Sequence, residues 1–308
     1  MVDGAEGLSA QLRRRLVEHL WRNRLLHDRR VARAFLAVPR EAFLPETMQR
    51  FGLTAVYRDD AIVTRRDPDS RIPLSSSSQP AIMALMLEML DVRLGHRVLE
   101  IGAGTGYNAA LLGLLVGPED GLVVTVDIDL QIARQAAAAL RSVGSRAHVV
   151  AGDGAVGMPG LAASRDALAD RIEVTASSAA VPRAWYDQLA DDGLLVVPIR
   201  LSDQIERAHA VTCLRKVAGG FRSQTVIAGG FMPLRRSDGS PFDPTGRTPP
   251  QQPDSPILDG GGRSPVGAFG RDQMDRLIIS VTYGADPPPA RWRFDRGDHW
   301  IGVGLQGE

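Results

Sequence analysis

The chain has 308 residues, 44% of them hydrophobic, with 36 basic and 36 acidic side chains and a formal net charge of zero. That length and apolar content suffice for one enlarged domain or a domain with an appendage, and the balanced charge excludes overall steering toward nucleic acid or an anionic membrane. A single cysteine, Cys213, excludes an internal disulfide and offers no zinc cluster, and no leader-like or membrane-length apolar run stands out, so the cytoplasm is the expected location.

Leu8, Leu12, Leu16 and Leu20 recur at every fourth position, with Val17, Trp21 and Leu25 widening the stripe, and predict one buried face of a first helix. A second helix is expected to start at Asp28 as cap, to bury Val31, Phe35 and Val38, and to end at Pro39. Residues 59–80 read as mostly irregular and polar, with Pro68, Pro73 and a Ser75–Ser78 run. Helix signals resume at Ser78, a candidate N-cap, with Pro80 in the first turn and AIMALMLEML behind it. Met83, Met86 and Met89 read as core packing rather than a soft-ligand site.

From residue 96 the chain alternates strand and helix: RVLEIG, YNAALLGLLV, LVVTVDI, LQIARQAAAALRSV, HVVAGDG, RIEVTAS, VPRAWYDQLA and LLVVPIR. The alternation predicts an α/β fold with a doubly wound sheet, finished by two adjacent antiparallel strands over 209–216 and 222–233. After Leu234 a Pro-, Gly- and Ser-rich stretch reads as loop or linker. The segments LIISVTYG, RWRF and HWIGVG then suggest a few strands of a small C-terminal extension.

The stretch VLEIGAGTG (98–106) places Gly102, Gly104 and Gly106 where the first strand of the alternating unit turns into a helix. Such a turn lets a ligand approach the backbone, across the carboxyl ends of the strands. Asp127 ends the second strand, where a carboxylate accepts both hydroxyls of a ribose; its competing role, a helix cap, suits Asp129 better. Asp153, in the GDG of 152–154, is placed to hold an adenine amino group with its carboxylate or the neighbouring backbone, or merely to start the turn at Gly154. Glu100, inside the first strand, either orients the loop or faces an amino acid moiety, and needs a partner in both cases. A nicotinamide enzyme would share the glycines and the ribose acid. The spacing is G-x-G-x-G rather than G-x-G-x-x-G, however, and no hydride-transfer set accompanies it. S-adenosylmethionine is the better ligand.

Beyond these residues the chain resembles the protein L-isoaspartate O-methyltransferase family of class I S-adenosylmethionine-dependent enzymes. The resemblance is carried by VPREAFLPE (38–46), the Tyr57-x-Asp59 segment, SSQPAIMALMLEML (77–90), RVLEIGAGTGYNAALL (97–112), GDG, RIEVTASSAAVP (171–182), QLADDGLLVVPI (188–199) and FMPL (231–234). It implies a Rossmann-like seven-stranded sheet with an antiparallel last strand. It also implies methyl esterification of a carboxylate in a peptide or protein bearing Asp or isoaspartate, without a metal. By position, the family's T-I-S-x-P segment becomes Ser76, Ser77, Ser78, Gln79 and Pro80. Ser78, with Ser77 and Ser76, is expected to align the acceptor, although Ser78 also suits a helix cap. Ser75, Gln79 and Arg71 join them as substrate-binding candidates, and Glu100, the three glycines, Asp127, Asp153 and Gly154 form the cofactor set.

Two departures bear on the acceptor. Ser77 stands where the family has Ile, and the preceding stretch 61–74 carries Arg65, Arg66 and Arg71, which either contact an acidic peptide or face solvent. The tail beyond FMPL resembles the extended branch that methylates Asp in ribosomally made peptides, leading to aspartimide and isoaspartate. Tailoring of a precursor peptide is therefore placed ahead of isoaspartyl repair, with a small-molecule O-methyltransferase or a non-catalytic binding module as further alternatives. The expected organisation is a substrate-facing segment over 1–95, a methyltransferase core over 96–236, a linker over 237–268 and an extension over 269–308.

Overall fold

In the computed structural model the leucine stripe forms α1 (Val2–Arg22), whose Leu12, Leu16 and Leu20 are buried. Leu8 and Trp21 stay exposed while α1 packs against α2 (Arg29–Ala37), so the buried stripe is narrower than the pattern suggests. Asp28 caps α2 by accepting from Arg30 N at 2.7 Å, and Val31, Phe35 and Val38 are buried as the pattern requires. A 3-10 turn (Arg40–Phe43) and two short helices, α3 (Pro45–Phe51) and α4 (Leu53–Val56), follow. The structure describes residues 2–158, 168–200, 209–236, 240, 242, 277–283, 292–295 and 299–305.

Residues 59–80 are more regular than the sequence suggests. β1 (Ile62–Arg66) and β2 (Pro73–Ser77) form an antiparallel hairpin in which Ile62 opposes Ser77 and Val63 opposes Ser76. Backbone pairing stabilises the polar strand even though it lacks the alternation that marks strands with one apolar face. The apolar helix α5 (Pro80–Leu90) comes next, with Met83 and Met86 buried and Met89 packed against the same core.

The alternating region gives β3 (Arg97–Ile101), α6 (Tyr107–Val116), β4 (Leu122–Asp127), α7 (Leu130–Ser142), β5 (His148–Ala151), β6 (Ala169–Val174), α8 (Arg183–Gln188) and β7 (Leu189–Arg200). β8 (His209–Val217) and β9 (Gly220–Ala228) continue the sheet, and β10 (Leu277–Tyr283), β11 (Trp292–Asp295) and β12 (His299–Leu305) join its far edge. One ten-stranded sheet results, in the order β11-β12-β10-β9-β8-β7-β6-β3-β4-β5. β5, β4, β3, β6 and β7 are mutually parallel; β8 runs against both β7 and β9. The seven strands β3–β9 are thus extended by three from the tail. The expected linker lies outside the described residues apart from 240 and 242.

Successive strand residues point to opposite faces and separate two apolar cores. Val98, Val123 and Val196 pack under α1, α2, α5 and α6, whereas Leu99, Val124 and Val197 pack with Trp185 of α8 and with Ile279 and Ile301 of the tail strands. The carboxyl ends of β3, β4 and β6 therefore open on one side, beneath the serine hairpin.

Candidate functional site

The glycine turn leaves β3 at Ile101. Gly102 has φ +100° and no room for a side chain, since a Cβ there would lie 2.3 Å from Thr175 Oγ1. Thr175 closes the turn by donating to Gly102 O at 2.7 Å. Gly104, at φ +51°, directs its N–H to Asp127 Oδ2 at 3.0 Å. The other carboxylate oxygen, Oδ1, accepts from Asp129 N at 3.0 Å. Asp127 is only 8% exposed, and that burial pushes its pKa up, against the two backbone N–H groups that favour its charged form. Asp129 is the helix cap, its Oδ1 accepting from Gln131 N and Ile132 N.

The serine strand faces this turn. Ser76 O lies 3.3 Å from where a Gly104 Cβ would sit, so a side chain there would crowd the strand as well as strain a backbone at φ +51°. Ser75 and Ser77 are buried, Ser76 and Ser78 half-buried and Gln79 exposed. Ser78 does not cap α5. Gln79 occupies the N-cap position without a side-chain bond, and Pro80 has no N–H, so the first amide in need of a partner is Ala81 N. Asp59 supplies it, accepting from Ala81 N at 2.8 Å and from Gln79 Nε2 at 3.2 Å. The Ser78 hydroxyl has no hydrogen bond among the described residues and is available to a ligand.

Glycine turn and serine strand line one cavity of ≈ 520 Å³. Ser75, Ser76, Ser77, Ser78 and Gln79 border it with Gly102, Gly104, Asp127 and Gly154. Four other candidates lie outside its walls. Gly106, at φ +86°, meets Ala136 O of α7 and serves close helix packing. Asp153 spends Oδ1 on Ala155 N at 2.8 Å, starting the turn that brings Gly154 to the wall. Arg71, with φ +60°, sits exposed in the hairpin loop. Glu100 is fully buried below the cavity, in register with Thr125 and Glu173.

Glu100 has a partner the sequence did not suggest. Asn108 Nδ2 donates at 2.8 Å both to Glu100 Oε1 and to Glu173 Oε2, bridging two buried carboxyl groups. Burial pushes Glu100 up to about 7, and burial together with Glu100 itself pushes Glu173 up to about 8. Asn108 also lines the cavity, and its Oδ1 has no hydrogen-bond partner among the described residues. Arg40 is a second residue that the sequence does not single out. Its side chain is fully buried and carries a lowered pKa because burial disfavours its charge. The Gly229, Gly230 and FMPL segment closes the cavity from the β9 side, locked by Ser177 N to Met232 O at 2.8 Å and Leu234 N to Ser177 O at 2.7 Å.

A family profile described as Protein-L-isoaspartate(D-aspartate) O-methyltransferase (PCMT) matches residues 11–238. The chain belongs to this family. Protein-L-isoaspartate O-methyltransferase of Methanopyrus kandleri is 40% identical over 192 residues, covering 61% of this chain and 76% of that one. The Hyperthermus butylicus protein of the same name is 33% identical over 235 residues, covering 73% and 88%. The Thermotoga maritima relative is 37% identical over 207 residues, covering 65% of this chain; the match spans 61% of that relative's length. A solved protein-L-isoaspartate O-methyltransferase structure superimposes with a TM-score of 0.63 at 33% identity, covering 74% of this chain and 67% of its own. The PCMT match ends at 238, so β10–β12 lie beyond it. Among the described residues no helix is long and apolar enough to cross a membrane.

S-adenosylmethionine is the methyl donor of PCMT enzymes, and the cavity fits such a group. The side-chain-free Gly104 admits a ligand against the backbone, Asp127 is a buried carboxylate on the wall, and the orphaned Asn108 Oδ1 awaits a donor.

Proposed function

We propose that this protein is an S-adenosylmethionine-dependent carboxyl O-methyltransferase acting on L-isoaspartyl residues of peptides or proteins. The observation that carries the reading is the shared cavity: Ser75–Ser78 and the turn of Gly102 and Gly104 line it together, so that a hydroxyl-rich segment faces a side-chain-free turn. The PCMT family match and the shared name of the relatives support the isoaspartyl acceptor. The tailoring reading leans on the tail, which the family match does not reach, and repair-type methylation takes precedence over it.

Bound S-adenosylmethionine supplies an electrophilic methyl group. Asp127 holds the donor's ribose, and Gly102, Gly104 and Gly154 let the donor lie against the backbone. On the facing wall Ser78 Oγ, free of capping duty, donates to one oxygen of the acceptor carboxylate, while Ser77 and the strand backbone fix its orientation. An aspartyl-type carboxyl in water ordinarily titrates at about pH 4 and is ionised at neutral pH, so the attacking oxygen needs no general base. Alignment and exclusion of water supply the acceleration, worth up to ~7–11 kcal/mol for ideal proximity.

The test is methyl transfer to two peptides of one sequence, one with isoaspartate and one with aspartate at the same position. Ester formed on the isoaspartyl peptide, with little on the aspartyl one, is the expected result. Preference for the aspartyl peptide restores the tailoring reading, and turnover of neither overturns both.

A further inference from the structure

Arg40 is a fully buried guanidinium without an ion-pair partner among the described residues. It donates through Nη1 to Val56 O at 3.0 Å and Arg58 O at 3.1 Å. Through Nη2 it donates to Ser77 Oγ at 3.3 Å, Ser78 O at 3.1 Å and Asp60 O at 3.4 Å. Four carbonyls and one hydroxyl thus solvate a full positive charge, whose face also lies 5.7 Å from the Tyr107 ring centroid. Burying a guanidinium this way is costly, and a neutral residue of similar shape would tie the chain together more cheaply. Charge placed at such cost, directly behind two serines that border the cavity, points to an anion in front of them.

The bond to Ser77 also has a direction. A guanidinium only donates, so Ser77 Oγ is the acceptor and its own proton must be spent elsewhere. Ser77 is buried and lines the cavity, and Ser77 donates no hydrogen bond among the described residues. A hydroxyl that accepts from a cation becomes a stronger donor in its turn.

We propose that Arg40 is a positioning residue for the acceptor: it fixes Ser77 so that the Ser77 hydroxyl donates to the substrate carboxylate, and it makes the serine wall selective for a negative charge. This inference rests on the carboxyl-methylation reading above. The Ser77 side chain gives Arg40 a polar relay into the cavity.

The experiment reads binding without turnover. Protein saturated with S-adenosylhomocysteine is titrated calorimetrically with an isoaspartyl peptide and with the same peptide as its uncharged side-chain amide. Wild-type protein is expected to prefer the carboxylate at least tenfold, and Ser77→Ala and Arg40→Lys to reduce the preference to about threefold or less. The double variant should lose no more than Arg40→Lys alone, because both act along one line. An undiminished preference in Ser77→Ala, or in an Arg40→Lys protein that binds S-adenosylhomocysteine normally, overturns the proposal, as does a wild type without preference. If Arg40→Lys does not fold, Ser77→Ala alone decides it in the same two directions. Failure of wild-type protein to esterify any peptide overturns the proposed function instead, a separate readout from the binding ratio.

Discussion

Arg65 Nη1 lies 2.9 Å from Asp129 Oδ2 and joins the serine hairpin to the start of α7. Asp129 is shared three ways: Oδ2 holds Arg65, Oδ1 caps α7, and its N–H donates to Asp127 Oδ1. On the other side Arg235 Nη2 donates to Leu74 O at 3.1 Å. The hairpin is clasped from both flanks, so the serine wall and the glycine-turn wall of the cavity are mechanically linked through Asp129 and Asp127.

Arg65→Ala should loosen both walls together. The pair is partly solvated, at 36% and 23% side-chain exposure, and contributes about 0.2–1 kcal/mol to stability. Thermal melting should therefore shift little, while the donor Kd and the peptide KM each rise roughly two- to fivefold, in line with that energy. A rise in peptide KM alone would make Arg65 a substrate contact, one of the two roles its sequence neighbourhood allowed.

Asp127→Asn tests the proposed donor-binding role of this carboxylate. The amide presents N–H toward one of two backbone N–H groups that now donate to Asp127, from Gly104 and Asp129. Charge-assisted hydrogen bonds contribute about 1.5–3 kcal/mol each, so the affinity for S-adenosylhomocysteine should fall roughly ten- to a hundredfold at little cost to peptide KM. An unchanged Kd by calorimetry would remove Asp127 from the site.

The parts of this site that are legible in the sequence are those set by local backbone demands. Gly102 and Gly104 announce a turn whose conformation admits no side chain, and Asp127 follows from its place at a strand end. Asp129 is a cap because the next helix starts there. What is not legible depends on tertiary contact. Ser75, Ser76 and Ser77 have no apolar alternation to mark a strand, and they become one only because β1 pairs with them. Asp59 displaces Ser78 as the partner of α5 from more than one turn away in sequence. Arg40 and Glu173 are residue types that default to the surface, so nothing local signals their burial. The tail strands are readable as strands, but their membership in the main sheet depends on pairing with β9.

The buried pair Glu100 and Glu173 makes stability depend on pH in a definite direction. Their pKa values are raised on folding, from 4.5 to about 7 and about 8. Between those limits the folded protein holds protons that the unfolded chain has released, so this contribution to stability declines as pH rises from about 4.5 to about 8. Glu173→Gln removes one ionisation and keeps the shape. Its melting temperature should exceed that of the wild type near pH 8, with the advantage shrinking toward pH 5. Parallel melting curves across that range would show that Asn108 tolerates two ionised neighbours.

The tail strands should prove to be part of the fold rather than a dispensable appendage. Tyr283 of β10 donates its hydroxyl to Val181 O at 2.9 Å, and its ring lies 5.3 Å from Tyr186 and 6.5 Å from Phe221. Arg183 covers the same rings, 5.2 Å from the Tyr283 centroid and 5.0 Å from that of Tyr186. Ile279, Val281, Ile301 and Val303 are buried in the core that contains Trp185. Tyr283→Phe keeps the ring contacts and should cost about 1 kcal/mol, the net worth of a typical hydrogen bond. Tyr283→Ala also removes a half-buried ring and should cost about 2–4 kcal/mol, toward the lower part of the range for aromatic truncations. A chain ending at residue 242 would uncover the Gly220–Arg222 edge of β9 together with buried Phe221. An unpaired edge beside exposed apolar surface favours association, so the shortened protein should elute as aggregate in gel filtration and lose its cooperative melt. If it instead remains monomeric with an unchanged melting temperature, β10–β12 merely rest against a core that is already complete at β9.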